Sequence, residues 1–191
     1  MKKNILKLCN LILLVGIVFS LHSCGTAKKI AASNDEVLIS TFCSGDDYAS
    51  TSKALRFSGI GESMDMMTAK NKSMSEARAG LAASISTKVK SVTDNYVKSG
   101  NFNNKEELLR NYEGINREVV DQTLSGVIVI CEKMTKTKVG TYKSYICVEL
   151  GGSEILKTLN NKLSNNEMLK VDYNYEKFKK TFDEEMSKAG N

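Results

Sequence analysis

The chain has 191 residues, 27 Lys and Arg against 22 Asp and Glu, no Trp, no Pro and a single His. That length suits one domain of ordinary size with a helical appendage. Cleavage of an N-terminal leader before Cys24 would leave 168 residues, lower the net charge from +5 to +2 and remove His22. What remains lacks the basic face that nucleic-acid binding by counterion release requires, so no nucleic-acid partner is expected, and it can build no Ser-His-Asp, Cys-His or imidazole-zinc site.

Residues 1–23 read as a lipoprotein signal peptide. They combine a basic start (Lys2, Lys3, Lys7), an apolar run from Leu11 to Phe19 and the stretch Leu21-His22-Ser23-Cys24. The apolar run falls short of the roughly 20 residues that cross a bilayer. Leu21-His22-Ser23-Cys24 resembles the lipobox of bacterial lipoproteins, although His22 is an unusual occupant. The resemblance implies acylation of the Cys24 thiol and cleavage just before it. Several acyl chains, at about 0.8 kcal/mol per buried methylene, then hold the protein on a membrane that it does not span. Gly25 stands where an Asp would resemble an inner-membrane retention signal, and no acidic cluster follows, so the expected location is the outer membrane, facing the periplasm.

Residues 24–50 read as a lipidated tether, small and polar to about residue 36, with a short strand at Val37 to Phe42. The core domain is expected over residues 51–151. Its first strand carries Leu55, Phe57 and Ile60 and closes at Gly59-Ile60-Gly61, after which Ser63 caps a helix. Met74, Ala77, Leu81, Ile85, Val89, Val92 and Tyr96 form an apolar stripe on a helix from about 64 to 98, ended by Gly100. Asn104 with Glu107 resembles a capping box opening a second amphipathic helix through Leu108, Tyr112, Ile115 and Val119 to about Thr123.

Strands at about 126–137 and 141–150 follow. A three-residue loop Lys138-Val139-Gly140, with Gly in the left-handed position, pairs Thr137 with Thr141. That register sets Ile128, Ile130 and Met134 opposite Leu150, Val148 and Ser144 on one apolar face. The expected fold is therefore α+β, a two-layer sandwich of a small antiparallel sheet packed against long amphipathic helices. In the segment 152–191, Ser153 caps a short helix bearing Ile155, Leu159 and Leu163. Met168, Val171, Tyr175, Phe178 and Phe182 make a narrow seam that favours the protein's own core over a partner helix.

Gly59-x-Gly61-x-Ser63, Ala69, Ala77-Arg78-Ala79, Leu81-Ala82-Ala83 and the hairpin ending in Tyr145-Ile146-Cys147-Val148-Glu149-Leu150 resemble the LPP-twenty type family of bacterial lipoproteins. The core of that family is also similar to the N-terminal domain of the flagellar assembly protein T. The resemblance covers roughly residues 53–151. It implies an envelope-anchored accessory protein and brings no catalytic residues.

Five features carry candidate chemistry. Cys131 and Cys147 face each other in the expected register, close enough for a disulfide that an oxidising periplasm would keep, while Cys43 can instead pair with either, leaving three possible single bridges. Gly59-Ile60-Gly61 can cradle a phosphate, but without the third glycine of a dinucleotide site or a P-loop Lys a strand-to-helix turn is the better reading. Met64, Met66, Met67 and Met74 are soft ligands with no Cys or His in helical reach, so no metal is expected. Ser50-Thr51-Ser52-Lys53, with Thr93-Asp94-Asn95 and Lys136-Thr137-Lys138, echoes penicillin-interacting enzymes but sits in the wrong structural context. Lys133, Lys136, Lys138 and Lys143 crowd the hairpin tip. They can touch anionic headgroups or cell-wall polymers, although lysines there more commonly stay solvated and deter edge pairing.

No catalytic residues, metal or cofactor are expected. The function that fits is a non-enzymatic, membrane-anchored envelope lipoprotein whose domain binds another envelope protein or itself. The alternative is a periplasmic lipid- or glycan-binding module holding its ligand in a hollow near Leu81 and Ile85.

Overall fold

A computed structural model describes residues 39–100, 102, 105–167, 169–170 and 173–190. The leader, Cys24, the tether to residue 38, Asn104, Met168 and Val171 lie outside the described residues. Ser40–Asn191 form one compact unit with an α+β fold. Three antiparallel strands, β1 (Ala54–Ser63), β2 (Ile128–Lys136) and β3 (Tyr142–Gly151), lie in the order β1-β3-β2. Helix α1 (Met66–Ser99) covers one face of the sheet, and α2 (Lys105–Thr123), α3 (Gly152–Asn165) and α4 (Tyr175–Ser187) complete the helical layer.

At 34 residues, α1 is about 50 Å long, well beyond the roughly 33 Å of a ten-residue strand. Its two halves therefore do different work. The first half lies on β1, where Gly59 and Gly61 let the backbones meet. A Cβ on Gly59 would sit 2.3 Å from the Ser73 carbonyl oxygen, and one on Gly61 2.1 Å from that of Ala69. Both glycines are paired within the strand, opposite Ile146 and Ser144, and neither has a positive φ. The expected strand-to-helix turn at Gly59-Ile60-Gly61 is thus corrected: the glycines are present for their missing side chains, and the strand runs on to Ser63. The cap also moves. Asp65, not Ser63, caps α1, its Oδ1 accepting the Thr68 N–H at 2.7 Å.

The second half of α1 carries the other helices. Leu81, Ile85, Val89, Val92 and Tyr96 are buried in one core with Tyr112, Ile115 and Val119 of α2, Leu159 and Leu163 of α3, and Phe178 and Phe182 of α4. Of the seam's described residues, Phe178 and Phe182 pack on the protein's own core, while Tyr175 is exposed. Tyr96 stacks edge-on with Phe178 at 5.2 Å and takes the Asn174 N–H on its hydroxyl. Helix α3 begins at Gly152, with Gly151 rather than Ser153 at the cap.

The hairpin β2–β3 turns as its loop predicts. Gly140 has φ 92°, and the Thr137 N–H bonds the Thr141 carbonyl at 2.8 Å. The expected register holds from Cys131 opposite Cys147 to Lys136 opposite Tyr142. It breaks at a bulge between Val129 and Cys131, which shifts Ile128 to face Glu149 instead of Leu150. One extra residue in the bulge flips the faces beyond it, so Ile128 is 56% exposed. Residues 39–42, the described part of the expected first strand, form no strand.

Candidate functional site

Residues 41–50 run as a strap across part of the sheet face turned away from α1. Its hydrogen bonds to the sheet use backbone carbonyls and a hydroxyl. Ser58 Oγ donates to the Cys43 carbonyl at 2.5 Å, and Arg56 Nη1 donates to those of Asp47 and Ala49. Ser50 Oγ accepts the Arg56 N–H at 2.9 Å and donates to the Arg56 carbonyl. Arg56 is itself fixed by Glu149, directly opposite on β3, through an ion pair of 2.6 Å. The Phe42 ring meets that of Tyr145 edge-on at 5.4 Å.

A disulfide joins the strap to the sheet, and it is not the expected one. Cys43 is bonded to Cys131, leaving Cys147 a buried free thiol. The expected bridge between Cys131 and Cys147 had the register right, since the two residues do face each other. Directly opposed strand residues, however, hold their Cβ atoms about 4.5–5.5 Å apart, wider than the roughly 3.8 Å of a typical bridge. Cys43 comes down onto the sheet from the strap, in a left-handed conformation (φ 55°), and is not tied to the ladder spacing.

The other end of the sheet gathers a different set of residues. Where β1 ends and the β2–β3 hairpin turns, Met64, Met66, Met67 and Val139 are exposed by 71%, 47%, 55% and 81%. Thr141 Oγ1 donates to Met64 Sδ at 3.5 Å, which places the start of α1 beside the hairpin tip. Lys143 pairs with Glu62 at 3.3 Å and Lys70 with Glu132 at 2.7 Å, while Lys136 lies over the Tyr142 ring at 4.9 Å. Lys133 and Lys138 are exposed. The expected crowding of lysines at the tip is present; of the methionines considered as metal ligands, Met64, Met66 and Met67 stand next to it, while Met74 packs against the core.

The remaining candidates are not brought together. The Ser50 hydroxyl is committed to the Arg56 backbone, and Thr93 is buried, donating to the Lys90 carbonyl. Leu81 and Ile85 are fully buried among core side chains, so the expected hollow between sheet and helices is filled. Among the described residues, two surface hollows can be placed elsewhere. One of about 260 Å³ lies between α1 and α2 and is lined by Lys90, Asp94, Tyr112 and Glu113, with Asn116 at its border. The Asn116 Oδ1 is buried and has no hydrogen-bond partner among the described residues. The other, about 370 Å³, follows the outer edge of β1 beside Ile60, where Lys72 Nζ donates to the Glu62 carbonyl.

Sequence reasoning missed the strap and one buried carboxylate. Glu185 on α4 accepts from Ser91 Oγ at 2.6 Å and Asn95 Nδ2 at 2.8 Å, both on α1, and pairs with Lys188. Lys88 Nζ donates to the Glu185 carbonyl. Burial alone would push this carboxyl up. The hydrogen bonds from Lys188, Ser91 and Asn95, with the Lys188 charge, outweigh that and hold it below its ordinary value. Burial likewise pushes the Tyr112 hydroxyl up. Compared with known families, curated proteins and solved structures, the chain matches none.

Proposed function

We propose that this protein is a bacterial envelope lipoprotein, acylated at Cys24 and held on the outer membrane facing the periplasm. In this reading it is non-enzymatic, belongs with the LPP-twenty type lipoproteins, and uses its sheet-and-helix domain to bind another envelope component or itself. The carrying observation is the run from Lys2-Lys3 through the apolar stretch Leu11 to Phe19 into Leu21-His22-Ser23-Cys24. The disulfide between Cys43 and Cys131 supports it, because such a bond persists in an oxidising compartment. The filled interior at Leu81 and Ile85 favours this reading over a lipid- or glycan-binding module.

The test is metabolic labelling with palmitate, followed by membrane fractionation. The wild-type protein should carry the label and travel with the outer membrane. The Cys24→Ala variant should be unlabelled and appear in the soluble periplasm. An unlabelled wild-type protein, or a variant that stays with the membrane, overturns the proposal.

A further inference from the structure

We infer that the hairpin tip and the start of α1 form a membrane-docking end, in which Val139, Met64, Met66 and Met67 enter the surface of an anionic bilayer and Lys133, Lys136 and Lys138 bind its headgroups. The inference deepens the lipoprotein reading, which supplies a bilayer nearby.

Three observations converge on this end. The first is exposure: three methionines and a valine stand in solvent at one extremity, although each is an apolar side chain that burial would stabilise. Methionine is flexible enough to adapt to a disordered interface. The second is charge. Lys143 and Lys70 are neutralised by Glu62 and Glu132, but Lys133, Lys136 and Lys138 make no ion pair among the described residues, so the tip is net positive beside its apolar side chains. Apolar groups bordered by free cations are the combination that anionic bilayers attract. The third is the path of the chain. Ser50 lies against Arg56, Tyr48 against Cys147, Cys43 against Ser58, and Phe42 against Tyr145. Followed back towards the N-terminus, the strap therefore climbs the sheet towards the tip, and the disulfide between Cys43 and Cys131 fixes that direction. Residues 42–50 thus run, towards their N-terminal side, to the end that carries the lysines and methionines.

The absence of Trp from the chain makes a direct test possible. Val139→Trp, at a position 81% exposed, puts one fluorophore at the tip without touching the core. Lys180→Trp on the exposed side of α4 serves as a control at the far end. Each full-length variant is purified with its lipid and reconstituted into vesicles of phosphatidylcholine, with or without phosphatidylglycerol, some acyl chains being brominated. In the anionic vesicles the Val139→Trp emission should shift to the blue and be quenched by bromine. High salt should reverse both effects, and Lys180→Trp should show neither. Each lysine near the surface adds about fivefold to docking, so changing Lys133, Lys136 and Lys138 together to Glu should abolish the quenching.

Val139→Trp emission that stays solvent-like in anionic vesicles carrying the protein overturns the inference. So does a crosslink in cells from position 139 to a protein instead of to lipid, which would make the tip a protein-binding end. Failure to float with phosphatidylcholine vesicles tells against the anchor alone. In that event, the fluorescence of the same variant mixed with anionic vesicles still decides the tip.

Discussion

Cys131 and Cys147 face each other across the β2–β3 ladder, yet the sulfur of Cys131 is bonded to Cys43, on a strap that crosses both strands. Three cysteines are thus in reach of one another with one bond among them. Peptide mapping without reduction should find Cys43 linked to Cys131 and Cys147 as the free thiol. In Cys43→Ala the geometry leaves Cys131 and Cys147 as the remaining pair. That variant should keep both as thiols, because directly opposed strand residues hold their Cβ atoms wider apart than a typical bridge; alkylation with mass spectrometry checks this, and a cross-strand bridge would count against that account. Losing the wild-type loop of 88 residues should cost about 4.6 kcal/mol on the chain-entropy account, read by chemical denaturation.

Gly59 and Gly61 set how closely α1 lies on β1. Gly59→Ala and Gly61→Ala each drive a methyl into the α1 backbone, which cannot move aside as a side chain can. Each should destabilise the fold by about 3 kcal/mol in urea unfolding. Gly114, inside α2, has open space within 4 Å of where a Cβ would stand, so Gly114→Ala should stabilise the protein by about 1 kcal/mol. Opposite signs for one chemical change separate packing from helix propensity.

These glycines also show what the sequence could express. The turn at Gly140 and the register from Cys131 to Lys136 were legible because loop length and a left-handed glycine act over a few residues. The apolar stripe on α1 was legible because its spacing repeats for about six turns, from Met74 to Tyr96. The bulge before Cys131 was not, since Ile128-Val129-Ile130 is apolar in either register. Gly59 and Gly61 read as a turn because the reason for them lies on α1, at Ser73 and Ala69, in a different element. The strap left no pattern at all, because Ser58 and Arg56 hold it by its carbonyls, which every residue has. The lysines of the tip were visible as a cluster, but their joining with Met64, Met66 and Met67 depends on tertiary structure.

Glu185 makes the attachment of α4 to α1 sensitive to acid. The groups facing it are Ser91, Asn95 and the Lys88 amine from α1, and Lys188 from its own end of the chain. Its folded pKa lies below the ordinary 4.5, so the stability it lends is complete above about pH 4.5 and is lost as pH falls through the lowered value. Glu185→Gln should lower the melting temperature at neutral pH. The gap from wild type should narrow as the pH drops below about 4.5, and a gap that stays constant with pH would count against the charged pairing. Differential scanning calorimetry between about pH 3 and 7, the span over which carboxylates titrate, reads both.

Arg56 is the residue on which the strap depends most. Its guanidinium pairs with Glu149 and donates to two strap carbonyls, while its backbone holds Ser50. Behind the strap, the Cys147 thiol is fully buried and lies 3.9 Å from the Tyr48 carbonyl. Opening of the strap is therefore readable as reaction of that thiol with an alkylating reagent, while the bond from Cys43 to Cys131 stays intact. Arg56→Ala removes charged hydrogen bonds worth about 1.5–3 kcal/mol each when complete, less here because the pair is partly exposed. A net loss of about 1.4 kcal/mol would raise the open population, and with it the labelling rate of Cys147, about tenfold. Arg56→Lys keeps the charge but not the fork that reaches both carbonyls, and should fall between the two. An unchanged rate in Arg56→Ala would mean that the disulfide and Ser58 hold the strap without it.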